Sequence, residues 1–238
     1  MPLDDLRLSQ LATRWTLIAQ AQERANPAAA RTAQAELLPR YTAVVYRYVL
    51  GAVHDPAAAE DLCQEFAYRF VRGDFRHARP DRGRFRDYLR TALVHLVGEY
   101  RAKARSERMR VPYDSGLFAA AADPASDPDP DFLACWRREL LNRAWERMEQ
   151  ASDGRPSAYL VLRRKADDPL RTSAQLAEEF TAEFGRPFTA EGVRQLVHRA
   201  RQRFAEHLRA VIAEGLPTGD PAEVEEELAA LGLLVYCG

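Results

Sequence analysis

Apolar residues recur every three or four positions along most of this chain, the spacing of helices that bury one face. The sharpest case is Val193, Leu196, Val197, Ala200 and Phe204, which predicts a helix over 189–204. Arg194, Gln195, His198, Arg199, Arg201 and Arg203 are left facing water, and the Thr189 hydroxyl is placed to cap the first turn. The helix before it carries Ala174, Leu176, Ala177, Phe180 and Phe184, opens at Thr172 or Ser173, and stops at Gly185 and Pro187. Two helices around a Gly-containing turn, the second with basic and amide side chains on its free face, make the pattern of a helix-turn-helix. Such a unit sets its second helix in the major groove of DNA. The turn, with Thr181 to Phe188 in it, is longer than the usual roughly three or four residues.

The same periodicity predicts the other helices. Residues 3–24 place Leu8, Leu11, Trp15, Ile18 and Ala19 on one face and end at Asn26 and Pro27. Residues 28–50 carry Leu37, Leu38, Tyr41, Val44, Val45, Tyr48 and Val49, with Pro39 expected to kink or restart the helix. A turn over 51–56 follows, with Asp55 as cap and Pro56 at the first helical position. Leu62, Phe66 and Phe70 give residues 56–72 a core stripe, leaving Asp61, Gln64, Glu65 and Tyr68 near one exposed face. After an Arg, Gly and Asp-rich loop over 72–84, a long helix from Phe85 buries Leu89, Ala92, Leu93, Leu96, Val97 and Tyr100. Helices over 132–150 (Leu133, Trp136, Leu140, Leu141, Ala144, Trp145, Met148) and 156–166 (Tyr159, Leu160, Leu162) precede the helix-turn-helix. The tail is a capped acidic helix with an apolar end, Leu231 to Tyr236, expected to dock on one of the domains or on a regulator.

Composition sharpens this picture. The chain is rich in Ala, Leu, Arg and Glu with few β-branched runs, which predicts an all-α protein. Its 238 residues suffice for two small helical domains. Between them, residues 111–131 repeat Asp-Pro without periodicity, as an extended acidic linker does. The expected organisation is an N-terminal helical extension (1–27), a first domain (28–110), the linker (111–131), a second domain with the helix-turn-helix (132–213) and an acidic tail (214–238). Three scattered cysteines with no CxxC pair suggest neither a disulfide framework nor a metal site. The five histidines have no metal or triad spacing and no Gly-rich phosphate loop appears, so no enzyme and no cofactor is expected. An acidic N-terminus without an apolar run, and no stretch of ~20 apolar residues, point to a cytoplasmic protein without membrane insertion.

Net charge is only -1, yet the charges are segregated. From Arg69 to Arg110 basic residues outnumber the five acids, and basic side chains beside exposed aromatics suit single-stranded or melted DNA. An acid-faced helix, a basic and aromatic long helix, an acidic linker and a helix-turn-helix thus follow in order.

In this order the chain resembles bacterial sigma factors of the sigma-70 family, in the two-domain extracytoplasmic-function class. Asp55 to Glu65 looks like that family's core-polymerase-binding helix, Phe85 to Ala92 like the start of its promoter-melting helix, and Val193 to Arg201 like its recognition helix. The N-terminal and C-terminal additions resemble a divergent group typical of planctomycetes. The resemblance implies that Asp61, Gln64 and Glu65 contact core RNA polymerase. It implies that Arg86, Arg90, His95, Tyr100, Arg101, Lys103 and Arg105 hold the minus-ten strand of promoter DNA. It implies that Thr189, Arg194, Gln195, His198, Arg199, Arg201 and Arg203 read the minus-thirty-five element. His95 stands where the family carries a base-pocket Asn, and a histidine can also hydrogen-bond an extruded base. Ala67 stands where the family usually has an aromatic. The resemblance admits an anti-sigma factor or a regulatory kinase as further partners. The residues by themselves also fit a stand-alone helix-turn-helix regulator that binds an operator, its N-terminal domain serving dimerisation.

Overall fold

A computed structural model of the chain describes residues 14–23, 25–75, 78, 84–109, 129–152, 157–216 and 218–238. Leu8 and Leu11, the loop over 79–83 and the linker over 111–128 lie outside the described residues, as does the Trp15 side chain. The described residues are helical without a strand. In order the helices are α1 (Arg14–Ala21), α2 (Pro27–Val53), α3 (Pro56–Arg72), α4 (Phe85–Met109), α5 (Pro130–Gln150), α6 (Ala158–Asp167), α7 (Ser173–Phe184), α8 (Ala190–Ala213) and α9 (Pro221–Ala230). A 3-10 turn, Leu234–Tyr236, closes the chain. The contacts divide it into two units, Met1–Glu139 with Glu214–Gly219, and Leu140–Ala213 with Asp220–Gly238. The sequence predicts a second domain that opens near Phe132. The boundary between the units instead falls inside α5, whose first turns bury Phe132 in the first unit's core.

In the first unit α2 runs through Pro39 to Val53 as one helix, where a kink or restart and an early turn were expected, so Pro39 does not restart it. A helix-interior proline costs about 3 kcal/mol. Leu37, Val44 and Val45, fully buried on either side of it, contribute roughly 1.5–3 kcal/mol each and outweigh that cost. Gly51 therefore sits in the last turn of α2, and His54, at φ 58°, ends the helix by donating its N–H to the Leu50 carbonyl at 2.9 Å. Asp55 then caps α3, accepting from the amides of Ala57 (3.0 Å) and Ala58 (3.4 Å), with Pro56 following as expected. The core joins Ile18 and Ala21 of α1 to Leu37, Val44, Leu62, Phe66, Phe70, Phe85, Leu89 and Leu93. Two glutamines fasten α1 and α2 to the end of α3. Gln22 donates to the Phe70 carbonyl at 3.1 Å and accepts from the Phe75 amide at 3.2 Å, while Gln34 donates to Ala21 (2.7 Å) and Val71 (3.3 Å) carbonyls.

In the second unit α6 and α7 pack on α8, around Val161, Leu176, Phe180, Val193 and Val197. A capping box opens α7: the Thr172 hydroxyl accepts from the Gln175 amide and the Gln175 side chain accepts from the Thr172 N–H. Thr181 to Phe184 belong to α7, so the turn before α8 comprises residues 185–189. Gly185, at φ 63°, makes the left-handed step that ends α7. The Thr181 hydroxyl accepts from the Phe188 amide at 2.9 Å and the rings of Phe180, Phe184 and Phe188 cluster, which orders the long turn. The tail helix α9 packs on α8, with Val224, Leu228, Leu231 and Leu233 buried.

Candidate nucleic-acid and protein-docking interfaces

The stripe Leu62, Phe66 and Phe70 fixes which face of α3 is free. Asp61, Gln64 and Tyr68 are exposed and Glu65 is partly so, at the i, i+3, i+4 and i+7 spacing of one helix face. Tyr68 is the large apolar side chain on this face, at 59% exposure, and the Arg72 guanidinium lies 5.5 Å from its ring centre. The face is therefore acidic with an aromatic anchor, fit for a basic protein surface.

Glu65 has a partner that sequence spacing alone hints at only through the i, i+4 relation. It accepts a short hydrogen bond from Arg69, and Arg69 also donates to Glu99 of α4 at 2.8 Å. The Arg69 side chain keeps 15% of its exposure. Burial works against its charge, but the hydrogen bonds to Glu99 and Glu65 outweigh this and strengthen its hold on the proton. The link from α3 to α4 is a tertiary contact that the sequence does not announce.

The seven α4 residues expected on the minus-ten strand do not share a face. Arg86 and Arg90 are buried, on the side of α4 that carries Leu89 and Leu93. Their positive charges are thus withdrawn from any phosphate in this form. Tyr100 is half-buried against the core. Arg101 is exposed and donates to the Ala52 carbonyl at 2.7 Å, where a cation complements the C-terminal end of α2. Lys103 and Arg105 are exposed and His95 is half-buried. Beside Arg101 an open cleft of about 750 Å³ is lined by Arg47, Tyr48, Gly51, Val94 and Asp129 among others. Asp129 caps α5, accepting from the amides of Asp131 (3.0 Å) and Phe132 (3.1 Å), and also accepts from the Tyr48 hydroxyl at 2.7 Å. Burial and this carboxylate together push the Tyr48 phenol up, so it stays protonated.

On α8 the structure leaves Arg194, Gln195, His198, Arg199, Arg201 and Arg203 exposed while Val193, Val197, Ala200 and Phe204 are buried. Thr189 has a structural duty as well: its hydroxyl accepts from the Gly192 amide at 3.1 Å. Two residues missed in the sequence reading lie on the free face. Glu191 and Gln202 extend the row through Gln195 and His198 at i, i+4, i+7 and i+11, with arginines on both flanks. Glu191 accepts from Arg194 Nε at 3.0 Å and takes a second, shorter bond from the same guanidinium. The bond to Arg194 and its charge hold the Glu191 carboxyl below the usual range. The i, i+3 spacing of opposite charges was the available signal.

Residues 35–107, from within α2 to the last turns of α4, match the family model of sigma-70 region 2. No curated protein and no solved structure matches the chain. Among the described residues no helix is long and apolar enough to cross a membrane.

Proposed function

We propose that the chain is a sigma factor of the extracytoplasmic-function class, which binds core RNA polymerase and directs it to promoters in the cytoplasm. The region 2 match supports a sigma-70 family sigma factor, with core RNA polymerase and promoter DNA as its partners. The observation that carries the reading is the free face of α3, within the matched segment: Asp61, Gln64, Glu65 and Tyr68 stand outward over a buried Leu62, Phe66 and Phe70. In the first unit the exposed Arg101, Lys103 and Arg105 attract the phosphates of a melted minus-ten strand, with His95 toward a base. In the second unit α7 and α8 act as a helix-turn-helix, the exposed side chains of α8 reading the minus-thirty-five duplex. The chain is a specificity subunit and needs no cofactor: phosphate contacts give salt-dependent affinity and a few side chains give sequence choice.

The test is a pull-down with bacterial core RNA polymerase, wild type beside an Asp61/Gln64/Glu65 triple-alanine variant. Binding by the wild type and its loss in the variant is the expected result. If neither the wild type nor a tail-truncated control binds while the wild type selects a duplex operator unaided, the stand-alone regulator takes its place.

A further inference from the structure

Of the arginines on the free face of α8, Arg194 alone is ion-paired among the described residues. One oxygen of Glu191, three residues back, accepts from its Nε at 3.0 Å and also from its Nη2. The Gln195 side chain bonds the same carboxylate. Arg194 keeps 61% of its side-chain exposure and Glu191 63%, so in water the pair adds little to the fold. It has two other effects. The carboxylate takes the Nε edge of the guanidinium and leaves the edge formed by Nη1 and Nη2 unused. That edge is the donor fork that matches O6 and N7 of guanine. The carboxylate also offsets the charge of Arg194, so this side chain pulls on a phosphate less than the exposed Arg199, Arg201 and Arg203 do.

Resting on the proposed function, in which α8 enters the major groove, we infer that Glu191 is a positioning residue that commits Arg194 to a guanine of the duplex rather than to a phosphate. The pair stands in the first turns of α8, the part of a recognition helix that meets base edges. Glu191 acts through Arg194. It holds the fork in place before DNA arrives, so less side-chain freedom is lost on contact. It also keeps the charge of Arg194 from the backbone, where contacts position the protein but carry no sequence information.

The experiment presents core RNA polymerase carrying the full chain with a library of duplexes randomised over promoter length, and sequences the DNA retained. Glu191→Gln, Arg194→Ala and the double variant stand beside the wild type. In the wild type one position of the selected upstream element holds guanine over the other bases by about 5-fold or more. In R194A that preference is lost, and in E191Q it falls to about 2-fold or less. The double variant loses no more than R194A, because the two residues act as one unit. On a mixed-sequence duplex E191Q binds more tightly than the wild type, with a salt slope steeper by about one ion, since a cation is released to the backbone. A surface pair that served only the fold moves neither the base preference nor the slope. A guanine preference that survives R194A or E191Q, an unchanged slope in E191Q, or a double variant that loses more than R194A overturns the inference and leaves the sigma reading standing. A wild type that does not bind polymerase, or selects no upstream sequence with it, overturns both.

Discussion

At the scale of single residues, the structure separates side chains that serve the fold from those free to meet a partner. The resemblance implies that Arg86 and Arg90 meet DNA, and arginine is usually exposed. Burial assigns them to the interior of the first unit. Thr189 and Asp55 were legible as caps, since a hydroxyl or carboxylate before an apolar periodic run has amides to satisfy. The cysteines follow the same logic. Burial, with Glu60 adding to it, pushes the Cys63 thiol up to about 11. Its thiolate is scarcer by on the order of 100-fold than at an ordinary site, so it alkylates slowly at pH 8 and speeds up as pH rises toward 11. Mass-spectrometric timing of iodoacetamide labelling, folded against urea-unfolded, checks this. Equal rates in the two states contradict the burial.

At the scale of elements, the apolar stripes were legible and the ends of helices were less so. Leu62, Phe66 and Phe70 fixed α3, and Val193, Val197, Ala200 and Phe204 fixed α8, because a 3.6-residue period admits one buried face. Pro39 does not restart the helix, since its local cost is smaller than the burial gained on either side. The turn before α8 is longer than usual and starts at Gly185, as expected, but Thr181 to Phe184 belong to α7: the Thr181 hydroxyl accepts from the Phe188 amide and three phenylalanine rings cluster beside it. The free face of α8 carries its own prediction. Arg194→Ala and Arg199→Ala each weaken duplex binding by roughly 1–3 kcal/mol where the arginine meets a base edge. A uniform loss over all sequences with a shallower salt slope marks a phosphate contact instead. Fluorescence titrations over a base-swap series, with the polymerase present, distinguish the two. Promoter preference left intact in both variants removes these residues from the reading set.

At the scale of the whole molecule, the tail has a structural place within the second unit. On α8 the buried set widens toward the C-terminal end to include Ala205, Leu208, Val211 and Ile212, and α9 packs on this helix with Arg209 donating to Glu225 at 2.9 Å. The Phe204 and Tyr236 rings also meet, 6.5 Å apart. Each buried Val or Leu of the tail is worth roughly 1.5–3 kcal/mol, so truncation at Gly215 should lower the melting temperature of the full chain clearly. An unchanged melt shows that the tail contributes nothing to the fold. The sequence alone determined the helical class, the stripes, the caps and the exposed acidic and basic faces, because each follows from local periodicity and short-range hydrogen bonding. Tertiary structure decided the rest: that α5 gives its first turns to the first unit, that Arg86 and Arg90 turn inward, that the tail lies on α8, and that Arg69 reaches Glu99. Those outcomes depend on which distant surfaces meet, and pairings between distant surfaces leave no period in the chain.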